Sequence, residues 1–74
     1  MIAILAVEFE PDVEPHLAVN ALRQPRLVVT ALDVGRREVV ATVEVDDTEA
    51  LVAAAAAVRC CRGIRSSTAF AADA

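Results

Sequence analysis

Ile2-Ala3-Ile4-Leu5-Ala6-Val7-Glu8-Phe9 decides how this chain folds. In a β-strand, successive side chains point to opposite faces. Ile2, Ile4 and Ala6 then share one face, and Ala3, Leu5, Val7 and Phe9 share the other. Both faces are apolar. That pattern predicts a central strand with something lying against each side.

The rest of the sequence supplies partners for this strand. Pro11 to Gln24 predicts a helix with an apolar stripe of Val13, Leu17 and Ala21, flanked by Ala18 and Leu22. Asp12 is the expected N-cap, Pro15 falls in the first turn, and Pro25 ends the helix. His16, Asn20 and Arg23 fall on its polar side. Leu27 to Val34 and Glu38 to Val45 predict two further strands, joined by a tight turn in which Gly35 is free to take positive φ. In the second of these, Val39, Ala41, Val43 and Val45 line one face. Asp46-Asp47-Thr48-Glu49 opens a second helix with capping-box-like spacing between Asp46 and Glu49. Leu51, Ala55 and Val58 form its predicted buried stripe, and Gly63 suits the position just past its end. Ile64 to Ala72 predicts the last strand.

The resulting order, β-α-β-β-α-β, is that of a ferredoxin-like α+β sandwich. Four antiparallel strands carry two helices on one face, in a single domain over residues 1–74. Nothing remains to cover the other face, although the first strand is apolar there too. An uncovered apolar face marks an interaction surface.

Composition narrows the function. Net charge is −4, with seven arginines and no lysine. An acidic chain without a basic stripe is poorly suited to bind nucleic acid directly, because phosphate neutralisation supplies most of that affinity. Phe9 and Phe70 are the only aromatics, so stacking platforms for bases are missing as well. Cys60 and Cys61 are adjacent and poorly placed to bridge. Without disulfides, a core this small points to oligomerisation for added stability. The apolar start through Val7 has no positive leader segment, and a span needs about 20 residues. No membrane association is expected, and the cytoplasm is the expected location.

Candidate reactive groups are sparse. His16 is the only histidine and has no cysteine or second histidine at metal-ligand spacing. Cys60-Cys61 lacks a C-x-x-C motif. Glu8, Glu10, Asp12 and Glu14 read as a solvated edge, with no nucleophile and base beside them. No catalytic residue, metal or cofactor is expected. Gly35-Arg36-Arg37-Glu38 is the most informative element: as a ligand loop, an arginine faces a carboxylate and Glu38 an ammonium.

Those residues carry a resemblance. Pro25-Arg26-Leu27, Gly35-Arg36-Arg37-Glu38, the strand Val39 to Val45 with Asp46-Asp47, and Glu49-Ala50-Leu51 resemble the effector-binding domain of Lrp/AsnC-type regulators. Gly63-Ile64-Arg65-Ser66-Ser67-Thr68-Ala69 is similar to that family's closing motif. Glu38 stands in place of an Asp, Ala69 in place of a Thr, and Arg26 in place of a Gly. The resemblance implies a domain that dimerises through its sheets, builds rings and binds small amino acids at subunit interfaces. It also implies regulation of transcription through a DNA-binding paralogue, because no helix-turn-helix precedes the first strand. The ligand-binding residues it implies are Gly35, Arg36, Glu38 and Ser67. The chain also resembles the assembly chaperones of periplasmic nitrate reductase, which bind a twin-arginine signal peptide on the sheet. A purely structural oligomerisation domain is the third expectation.

Overall fold

The computed structural model describes residues 1–72. Its elements are β1 (Ile2–Phe9), α1 (Pro15–Ala21), β2 (Val28–Val34), β3 (Glu38–Glu44), α2 (Thr48–Arg59) and β4 (Ile64–Ala71). The strands form one antiparallel sheet in the order β2-β3-β1-β4. This is the expected ferredoxin-like βαββαβ fold, and β1 lies inside the sheet between β3 and β4.

The two sides of β1 have different surroundings. Ala3, Leu5, Val7 and Phe9 are buried beneath the helices, together with Val39, Ala41 and Val43 of β3. Ile4 and Ala6 on the opposite side are half-buried, and Ile2 is exposed. Against the sheet, α1 contributes Ala18, Ala21 and neighbouring Leu22, while α2 contributes Leu51, Ala54 and Val58. Among the described residues no charged or polar residue is buried. Apolar burial therefore dominates this core, at about 25 cal/mol per Å² removed from water.

The first helix is shorter than its periodicity suggests. A residue before proline is pushed out of the helical region. Glu14, before Pro15, accordingly lies at φ −72 and ψ 140 and is the N-cap; its side chain makes no capping bond. Asp12 instead lies in a turn in which the Val13 N–H donates to the Glu10 carbonyl at 3.0 Å. With α1 starting late, Leu17 is half-exposed rather than part of the buried stripe.

The start and the buried stripe of the second helix shift by one residue, and its end falls two residues earlier than Gly63 at C′ would place it. Asp47 is the N-cap, and its carboxylate accepts the Ala50 N–H at 2.8 Å. Asp46 pairs with Arg26 at 3.3 Å instead. Ala54 replaces Ala55 in the buried stripe because Leu51, Ala54 and Val58 follow i, i+3, i+7 spacing. Cys60 is the C-cap, so Gly63 lies beyond the helix, in the turn that leads into β4.

The glycine roles also differ from expectation. Gly35 is not at positive φ; Gly63 is, at 84°. Among the described residues, Arg26 is the one non-glycine residue at positive φ, at 67°. It occupies the third position of the Gln24–Leu27 turn, closed by the Leu27 N–H to the Gln24 carbonyl at 3.3 Å. Proline before a residue of positive φ is the signature of a type II turn, which normally carries glycine at that third position.

Candidate functional site

Register assigns each polar residue to a face. Residues directly opposite in an antiparallel pair share a face. On the open face, Ile4 pairs with Thr42 and with Phe70, Ala6 with Val40 and Thr68, and Glu8 with Glu38 and Ser66. From β2, Val28 lies opposite Glu44, Ala31 opposite Thr42, and Asp33 opposite Val40. The face is therefore graded. Ile2, Ile4, Val28, Ala31 and Phe70 make one end largely apolar, interrupted by Glu44 between Ile2 and Val28, while Asp33, Glu8 and Glu38 make the other acidic. Phe70 and Val28, on the two edge strands, are 54% and 58% exposed on this open face.

The Gly35–Glu38 turn stands at the acidic end. The Gly35 N–H donates to the Glu38 carbonyl at 2.7 Å, and the Phe9 N–H donates to the Arg37 carbonyl at 2.9 Å. The turn is thus tied both to itself and to the end of β1. Asp33, Gly35, Glu38 and Val40 line a depression of about 260 Å³. Arg36 is exposed in the turn beside it. Glu8 and Glu38 are directly opposite each other, a like-charge arrangement that costs stability unless a cation joins it.

Three of the four expected ligand residues, Gly35, Arg36 and Glu38, gather in this way. Ser67 does not join them. It pairs with Val7, whose side chain is buried beneath the helices, so Ser67 faces the helix side. Its Oγ is buried and has no hydrogen-bond partner. The hydroxyl in the row of Glu8 and Glu38 is Ser66. Only the pairing register separates the two serines, and the bulge between Glu8 and Phe9 that sets it has no clear sequence signal.

The remaining polar groups are solvated. His16 Nδ1 lies 3.2 Å from a Glu14 carboxylate oxygen, with both side chains exposed. Such a pair contributes about 0–1 kcal/mol. Cys60 and Cys61 are free thiols, and the Cys61 Sγ donates to the Ala57 carbonyl at 3.4 Å. Among the described residues, no three of His, Cys, Asp and Glu gather to hold a metal ion. No helix among them is long and apolar enough to cross a membrane. Compared with known protein families and with curated proteins, the chain matches none.

Proposed function

We propose that this chain is an assembly and effector-binding domain of the stand-alone Lrp/AsnC kind. It pairs with a second copy through the open sheet face and binds a small amino acid at the Gly35–Glu38 end. The observation that supports this reading is the outer side of β1. Ile4 and Ala6 lie there in the middle of the sheet, with exposed Phe70 opposite Ile4 and no element of the described residues over them. A second copy removes this surface from water, and apolar burial drives the association.

Arg36 meets the ligand carboxylate, and Glu38, with Glu8 opposite, meets the ammonium. Ser66 supplies a hydroxyl on the same face. A ligand that bridges two subunits stabilises the assembly by its own binding free energy. Regulation of transcription then passes through a DNA-binding partner.

Light scattering over a range of protein concentrations, with and without mixed amino acids, tests the reading. A dimer or larger assembly whose mass responds to ligand is expected, and a strict monomer under all conditions overturns it. Phe70→Glu should yield a folded monomer. Gly35→Val should abolish the ligand response while leaving assembly intact.

The carboxylates Glu8, Asp33, Glu38 and Glu44 on the same face favour a second reading, a chaperone for an arginine-rich signal peptide. Titration with a twin-arginine peptide beside the amino acids separates the two.

A further inference from the structure

β4 is an edge strand, and the backbone groups on its outer side are unfilled. The Ala72 N–H donates to the Ile2 carbonyl at 3.1 Å. With the β1–β4 register, Phe70, Thr68 and Ser66 therefore also turn their backbone groups toward β1. Ser67, Ala69 and Ala71 alternate with them and turn theirs outward. Among the described residues no strand takes these groups up. Natural edges are guarded by a bulge, a proline or a charge. β2, the other edge strand, is guarded: its register slips at Thr30, and it carries Asp33. In β4 the register slips at Arg65, near the start, and Ser66 to Ala71 holds neither proline nor charge.

The helix above this edge is also incomplete. α2 packs chiefly on β4 and β1, so it lies over the gap between them. Ala50, Ala53 and Ala57 look toward the Gln24–Leu27 turn, and Leu51, Ala54 and Val58 face the sheet. At 3.6 residues per turn, the flank left over the β4 edge carries Val52, Ala55 and Arg59. Val52 is 61% exposed, more than any other large apolar side chain among the described residues. The helix is polarised along its length, with Glu49 in its first turn and Arg59 in its last. Neither is in an ion pair among the described residues.

These features complement themselves. Two β4 edges paired antiparallel about a two-fold axis would lie about 4.8 Å apart, as neighbouring strands do. Each α2, over its own β1–β4 gap, then stands two strand spacings from the other. That is about 10 Å, the distance at which helices pack. The two-fold runs the helices antiparallel. Val52 of each copy comes to the middle of the contact, and Arg59 of each meets the Glu49 end of the other, so unlike charges face across the seam.

We propose that β4 pairs antiparallel with β4 of a second copy, making one continuous sheet with the two α2 helices packed through Val52. This interface is separate from the open face and does not require it. A strand edge and one helix flank form a small contact, weak in isolation and stronger between copies already joined elsewhere.

Amide hydrogen exchange of the full chain, followed by nuclear magnetic resonance from micromolar to millimolar concentration, tests this. The Ser66, Thr68 and Phe70 amides are held by β1 in every state. The Ser67 and Ala69 amides should exchange fast in dilute protein and slow by about tenfold or more as concentration rises. Val52 is exposed, so Val52→Glu should fold normally and remove the slowing. Arg59→Glu should weaken the slowing, and adding Glu49→Arg should restore it, because only a pair across the seam responds to the exchange of charges. Equally fast exchange of Ser67 and Ala69 at all concentrations overturns the proposal; where the mass still shows assembly, the open-face reading stands. Slowing that ignores concentration, or that needs an added twin-arginine peptide, overturns it too. Slowing that persists in Phe70→Glu at millimolar concentration supports the edge independently of the open face.

Discussion

Replacing Gly63 with alanine should destabilise the domain by about 2 kcal/mol, from two costs the structure makes separable. The first is backbone conformation. Gly63 sits at φ 84°, and an L-residue in the left-handed region costs about 1–2 kcal/mol. Lower unfolded-state entropy of alanine returns about 0.4–1 kcal/mol of that. The second is steric. The new Cβ falls 2.5 Å from the Val13 Cγ2, so Val13 must rotate or the turn must shift. An off-rotamer side chain costs about 0.5–1.5 kcal/mol. For a domain of this size the melting temperature should fall by about 8–16 °C, taking about 4–8 °C per kcal/mol. Urea denaturation followed by circular dichroism gives the free energy directly. A double-mutant cycle isolates the contact: in a Val13→Ala background the same change should cost about 1 kcal/mol less. Gly35→Ala is the control. Gly35 is not in the left-handed region, and its Cβ would meet only the Glu38 carbonyl at 3.3 Å. It should cost under about 1 kcal/mol. Equal losses at the two glycines, or no coupling to Val13, would refute the reasoning.

Three further substitutions probe local energetics. Ser67→Ala removes a buried hydroxyl without a partner and should raise stability by about 1 kcal/mol, read as a higher urea midpoint at unchanged slope; a loss would mean the hydroxyl is bonded. It should also leave any amino-acid response intact, because Ser67 faces the helices. Asp47→Ala should cost about 1 kcal/mol through loss of the cap on Ala50, whereas Asp46→Ala should cost less because it breaks only an exposed ion pair; thermal melts of both variants decide between them. Arg26→Gly should lie within about 0.5 kcal/mol of the parent, relief at φ 67° offsetting the lost Asp46 pair and added chain entropy. Arg26→Val should be worse by about 1 kcal/mol or more, because a β-branched residue tolerates that conformation poorly; denaturant curves that fail to separate the two variants would contradict this.

The apolar residues on both faces of Ile2–Phe9 were enough to place β1 inside the sheet, because successive side chains of any strand point to opposite faces whatever its neighbours are. The strand spans and the α2 start were legible for the same reason: periodicity, caps and prolines act within a few residues. Pro15 held the true start of α1 as well, since Glu14 before it cannot be helical, but the apolar residues ahead of it masked that local signal. Tertiary structure decided the rest. Which glycine needs positive φ depends on how closely the α2–β4 turn approaches Val13. Which serine joins Glu8 and Glu38 depends on the β1–β4 register after a bulge. Whether Leu17 is covered depends on where α1 comes to rest. Each is a relation between segments distant in sequence, fixed by packing and hydrogen bonding that neither segment encodes alone.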